Sequence, residues 1–163
     1  MMGRISRNKG RAFEQRIASD IRRVLPRATV RRSLQAHAAY EPDIVIAGDV
    51  PAIWERLWIE CHDARRPDIR AKWAQATRDS AAATLRGASS LPLVVWHRTG
   101  ERSVYCTADL STWVEVAGLS WSRSRDGTSG YGVRQRLFTA EWETVLDVLS
   151  EQSIRTDPWA ELV

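Results

Sequence analysis

The feature that most limits how this chain can fold is a carboxylate set inside an apolar run, Leu57-Trp58-Ile59-Glu60-Cys61-His62. A run this short and this apolar reads as a buried strand. Side chains alternate across a strand, so Trp58, Glu60 and His62 share one face while Leu57, Ile59 and Cys61 share the other. Burying a carboxylate is costly unless it is paired or metal-bound, which marks Glu60 as a candidate functional residue. A second run, Pro42-Asp43-Ile44-Val45-Ile46-Ala47, reads as another buried strand with an acid at its start, closed by the turn signals Gly48-Asp49 and Pro51. Taken alone, Asp43 after Pro42 does no more than shape the start of a strand.

Helical patterns surround these strands. Residues 8–25 place Phe13, Ile17, Ile21 and Val24 on one stripe, with Ala12 and Leu25 beside them, and Pro26 stops the helix. Ser6 or Asn8 is the expected cap, and Arg4, Arg7 and Arg11 form a basic arm ahead of or on the first turn. Residues 28–34 are a weaker strand candidate, and the segment just before Leu57 carries no clear pattern. Pro67 and Asp68 open a helix through about Leu85, with Ile69, Trp73, Ala76 and Ser80 on one stripe and Lys72, Gln75 and Asp79 on its neighbour. Residues 93–96 and 103–106 read as a hairpin around Thr99-Gly100-Glu101. Residues 109–116 read as a short helix, and residues 119–136 as a Ser-, Gly- and Arg-rich loop or ribbon. Thr139 is the expected cap of a last helix through about Glu151, whose apolar face is Trp142, Val145, Leu146 and Leu149.

This order of helices and strands predicts an α/β chain with helices packed on a sheet. At 163 residues it is expected to be one domain over residues 1–151, with a basic N-terminal arm and a tail from 152 to 163 that holds Trp159. No apolar run approaches the roughly 20 residues that cross a bilayer, so a soluble, cytoplasmic protein with no membrane partner is expected. Cys61 and Cys106 sit in apolar stretches without the paired spacing of a zinc site or disulfide framework and are expected in the core. His37 and His97 likewise lack ligand spacing, and Trp73, Trp96 and Trp142 read as core aromatics. The net charge of +4 is carried almost wholly by arginine, because Lys9 and Lys72 are the only lysines. That surplus fits a phosphate-bearing partner, and it fits genomic base composition equally well.

Four elements stand in a telling order: Lys9-Gly10-Arg11-Ala12-Phe13-Glu14 opening the first helix, Glu41-Pro42-Asp43 opening a strand, Glu60-Cys61-His62 on the next, and Gln75 in the following helix. In this order, over roughly residues 6–116, they resemble the PD-(D/E)XK nucleases, particularly the phage and archaeal Holliday-junction resolvases. The resemblance implies a restriction-endonuclease-like mixed central sheet flanked by helices. It also implies metal-dependent hydrolysis of DNA phosphodiester bonds, on branched or four-way junction DNA, by a homodimer in a bacterial or phage-infected cell. Asp43 and Glu60 would hold Mg²⁺ or Mn²⁺, with the Cys61 carbonyl and Glu14 as further ligands and Gln75 nearby. Hard ions of this kind prefer carboxylate and water oxygens, polarise a phosphate and lower the pKa of bound water.

The departure is His62, which stands where the family carries lysine. A histidine is only partly charged near neutrality. Three outcomes are open: His62 itself orients water or donates a proton, Lys72 reaches back from the next helix, or activity is lost and a non-catalytic DNA- or junction-binding protein remains. Candidate DNA contacts are Arg4, Arg7, Lys9 and Arg11 on the basic arm, Arg65 and Arg66 just past the proposed site, and Trp121 with Arg123 and Arg125. An aromatic among arginines can stack on a base while the guanidinium groups meet phosphates. Without the family pattern, Glu14 and Gln75 read as solvated helix positions.

Overall fold

Strand β3 (Leu57–Ala64) is where the two halves of the fold meet. The structure is a computed structural model that describes residues 2–33, 41–85, 90–118 and 137–155. Ahead of β3 come α1 (Met2–Val24), β1 (Thr29–Arg32), β2 (Ile44–Ala47) and the short α2 (Ala52–Arg56). After it come α3 (Ile69–Thr84), β4 (Leu91–Arg98), β5 (Val104–Asp109), α4 (Leu110–Val116), β6 (Leu137–Glu141) and α5 (Trp142–Arg155). The described strands make one six-stranded sheet in the order β1-β2-β3-β4-β5-β6. Neighbours are antiparallel except β3 and β4, which run parallel from Leu57 opposite Leu91 to Ala64 opposite Arg98. A parallel pair needs a long crossover, and α3 provides it. The chain is therefore α/β with a mixed sheet flanked by helices.

Local chemistry accounts for most of these elements. The carboxylate of Asp68 accepts from the Ala71 N–H at 3.0 Å and caps α3. Asp109 does the same for α4 through the Thr112 N–H. Gly48, at φ +102°, turns the chain after β2, and Gly100, at φ +100°, turns it between β4 and β5, in a region that suits glycine. The core lies on both sides of β3 and β4. Ile17 and Ile21 of α1, Ile44, Ile59, Leu93 and the α5 residues Trp142, Val145, Leu146 and Leu149 are all buried in it. Trp73 is buried and Trp96 is half-buried against the same cluster, while Cys106 is fully buried and Cys61 half-buried, both as free thiols.

Four readings change. Helix α1 already runs from Met2, so neither Ser6 nor Asn8 caps it; the arginines and lysine of the basic arm are good helix formers and carry the helix through Gly3 and Gly10. Thr139 lies within strand β6 and not at a helix cap, because residues 137–141 pair with β5 and the Thr139 hydroxyl lies 2.7 Å from that of Thr107. The segment before Leu57, which shows no clear pattern, forms α2 and buries Trp54. Helix α5 runs on to Arg155, past the expected start of the tail, and Trp159 lies outside the described residues. Among the described residues no helix is long and apolar enough to cross a membrane.

Candidate active site

The register of β2 on β3 aligns Ile44 with Ile59. One residue back along β2 and one residue on along β3, that pairing brings Asp43 beside Glu60. The backbone N–H of Cys61 donates to Asp43 Oδ2 at 2.8 Å and ties the two strands at this point. Glu60 is only 4% exposed, and so is Trp58, two residues earlier on the same face. The indole N–H of Trp58 donates to Glu60 Oε1 at 3.0 Å. The other carboxylate oxygen, Oε2, accepts from Lys72 Nζ at 2.6 Å.

Lys72 reaches this point because α3 begins just past the end of β3 and packs on the sheet through Trp73, Ala76 and Ser80. Its Nζ lies 3.7 Å from Asp43 Oδ2 and donates to Gln75 Oε1 at 3.4 Å. Lys72 and Gln75 are three residues apart on one helix face, which lets both attend the same site. Of His62 and Lys72, Lys72 is the one at the carboxylates. His62 follows Glu60 on the same strand, but among the described residues it hydrogen-bonds to neither acid.

The electrostatics follow from this crowding. Burial raises the pKa of Glu60, the charge of Asp43 raises it further, and Lys72 works against both. For Lys72, burial acts to lower the pKa, but Asp43 and Glu60 outweigh it, so the ammonium is held charged. His62 is shifted the other way, by burial and then by the Lys72 charge, which favours the neutral ring. Burial likewise pushes the Cys61 thiol well up. Glu14 is raised by burial, with the Asp43 charge adding and the Arg32 hydrogen bond and Lys72 charge opposing. Glu14 of α1 thus shares the field of Asp43 and Lys72, while its Oε2 accepts from Arg32 at 3.0 Å.

Arg32 is a site residue that the sequence analysis does not single out, and Trp58 is read there only as sharing the face of Glu60. Arg32 sits on β1 opposite Ile44 and so stands next to Asp43. Its neighbour Arg31 grips Glu41 through both guanidinium nitrogens at 3.1 and 2.9 Å, the Ser33 hydroxyl donates to the same carboxylate at 3.1 Å, and Ser33 N donates to the Asp43 carbonyl at 2.9 Å. These bonds hold the Glu41-Pro42-Asp43 turn onto β1. A tell-tale existed in the sequence: basic residues on a strand candidate beside an acidic turn. His97, which lacked ligand spacing, is a pin: its ring lies 3.1 Å from Asp63 Oδ1 and 2.8 Å from the Glu101 carbonyl and stacks on Phe13.

The candidate DNA-binding residues divide. Lys9 and Arg11 are exposed on α1, the helix that also carries Glu14, and Arg4 and Arg7 belong to the same helix. Arg65 and Arg66 are exposed just past β3. There Ala64 accepts from the Thr99 N–H at 3.1 Å, so the pair lies beside the β4–β5 turn. Trp121, Arg123, Arg125 and His37 lie outside the described residues.

The donor set fits a small hard cation. Among the described residues no three His, Cys, Asp or Glu side chains converge as a ready-made metal cage. Mg²⁺, however, is bound through one or two carboxylates and keeps several waters. Asp43 and Glu60 supply two carboxylates drawn to one cationic point, which the Lys72 ammonium now balances. Compared with models of known protein families, with curated proteins and with solved structures, the chain matches none.

Proposed function

We propose that the chain is a divalent-metal-dependent endonuclease on a restriction-endonuclease-like fold, which hydrolyses DNA phosphodiester bonds as a homodimer, with branched DNA as substrate. The observation that carries the reading is the meeting of Asp43, just ahead of β2, Glu60 of β3 and Lys72 of the facing helix, with the ammonium 3.7 Å from Asp43 Oδ2 and 2.6 Å from Glu60 Oε2. A buried acid and a half-buried one beside a lysine have little value as a stabilising device, since a buried ion pair is commonly no better than an apolar replacement. Their convergence is better explained by chemistry on a phosphate.

Asp43 and Glu60 would hold Mg²⁺ or Mn²⁺, which, when bound, polarises the scissile phosphate and generates hydroxide near neutral pH. The chain's own groups complete the task. Lys72, kept charged by the acids, neutralises charge that develops on the phosphate oxygens. Gln75 steadies that ammonium, and Arg32 keeps Glu14 turned toward the site from α1. Arg65 and Arg66 lie past the end of β3, where they can grip the backbone of the nucleic acid.

His62 favours a second reading, a DNA- or junction-binding protein on a degenerate nuclease core, because the lysine of the family pattern is absent at that position. Lys72 counters it by supplying the charge from α3. Labelled four-way junction, duplex and single-stranded DNA, each incubated with the protein and Mg²⁺ or Mn²⁺, separate the two. Metal-dependent cutting with preference for the junction is expected; tight junction binding without cutting would favour the second reading.

A further inference from the structure

Both oxygens of the Glu60 carboxylate are engaged, but by donors of different character. Oε1 accepts from the Trp58 indole at 3.0 Å, and Oε2 accepts from Lys72 at 2.6 Å. An indole N–H is a donor only. Trp58 is 4% exposed, so its ring has little room to move away from the carboxylate. An ammonium is a point charge on a flexible stem. Lys72 can release Oε2 to a cation and stay in place, because Gln75 Oε1 and Asp43 Oδ2 lie 3.4 and 3.7 Å away. Oε1 therefore remains held while Oε2 is exchangeable.

This asymmetry matters for the choice of ion. Ca²⁺ takes six to eight oxygens and commonly engages a carboxylate through both, whereas Mg²⁺ demands near-ideal octahedral geometry. On the proposed metal-site reading, we infer that Trp58 is a positioning residue, which fixes Glu60 as a one-oxygen ligand and so biases the site toward small octahedral ions over Ca²⁺. Trp58 touches neither substrate nor ion in this role; it acts through the carboxylate.

The test is Mn²⁺ binding to the full chain, followed by electron paramagnetic resonance, with Mg²⁺ and Ca²⁺ as competitors. Wild type is compared with Trp58→Phe, and with a chain carrying benzothienylalanine at position 58, which keeps the bicyclic ring and removes only the N–H. Both variants are expected to shift the Ca²⁺-to-Mg²⁺ preference toward Ca²⁺ by about tenfold, in the range found when outer-shell partners are removed. A purely packing role for Trp58 would weaken all three ions alike. If Trp58→Phe fails to fold, the isosteric chain decides. An unchanged preference in it, with Mn²⁺ bound normally by wild type, overturns this inference and leaves the nuclease reading standing. Absence of binding of any of the three ions to wild type removes both.

Discussion

The ammonium of Lys72 lies 2.6 Å from Oε2 of Glu60, so helix α3 delivers to strand β3 the positive charge that His62 does not supply. Their side chains are 15% and 5% exposed, which leaves the acid little solvent to fall back on if the lysine is removed. Lys72→Met is expected to destabilise the metal-free protein by about 3 kcal/mol, the low end for breaking a buried pair. Adding Glu60→Leu should restore most of that loss. Urea unfolding of the single and double variants measures it. Single-turnover cleavage by Lys72→Met is expected to fall by about a hundredfold or more, as when one electrostatic donor to a reacting oxyanion is lost.

His62 is expected to matter less. It lies on the site face of β3 but hydrogen-bonds to neither acid among the described residues, and burial with the nearby Lys72 charge favours its neutral form. His62→Gln should cost less than about tenfold in cleavage rate, below the usual contribution of a general acid or base. Measured beside Lys72→Met on one substrate, a larger loss from His62→Gln would reverse the two roles.

Arg65 and Arg66 are exposed beyond the end of β3, so their removal should leave folding untouched and act on DNA affinity alone. For Arg65→Ala with Arg66→Ala, the slope of log affinity against log salt on duplex DNA is expected to become shallower by roughly 2, about 0.9 for each phosphate that is no longer neutralised. Fluorescence anisotropy across a salt series reads this directly. An unchanged slope would place the nucleic acid elsewhere.

Away from the site, Asp20 of α1 faces α5 with Oδ2 buried and, among the described residues, without a hydrogen-bond partner, and the same is true of Trp142 Nε1. The indole lies near enough to steady the charge without closing a bond. Burial raises the pKa of Asp20, with Arg16 opposing and Glu143 adding. The folded protein therefore holds this proton more tightly than the unfolded chain does. Its contribution is most favourable below the ordinary carboxylate range and declines as pH rises through the interval up to the raised folded value. Asp20→Asn should accordingly gain stability over wild type as pH increases, by less than about 1 kcal/mol near neutrality because solvent screens a half-buried carboxylate. Urea midpoints of both proteins from acid to neutral pH give the difference.

The sequence was most legible where period and burial agreed. The shared face of Trp58 and Glu60, the opening of α3 at Asp68 and the apolar face of α5 stand in the structure where local patterns place them. Strand β6 was hidden because its residues Phe138 and Thr139 are both exposed, so no alternation marks it; only pairing with β5 makes it a strand. Helix α2 was hidden by its five-residue length. Within the site, Asp43 and Glu60 were readable as acids at the start and middle of apolar runs. The reach of Lys72, the tether from Arg32 to Glu14 and the Trp58 bond depend on which elements face each other, and Arg32 is separated from Glu14 by 18 residues. The Trp58 bond spans only two residues, yet alternation gives a shared face and not the rotamer that closes it.

One comparison bears most directly on the pairing of Asp43 with Glu60 as a metal-holding centre. Labelled four-way junction is cut by wild type, Asp43→Asn and Glu60→Gln in Mn²⁺, with chelator as the control, under single-turnover conditions. Cutting by wild type that the chelator abolishes, and a loss of about a thousandfold in each variant with the fold intact, is the expected result, since each substitution removes a ligand oxygen charge from the ion. Cutting by either variant at the wild-type rate would contradict the account, as would the absence of metal-dependent cutting of junction, duplex and single strand alike.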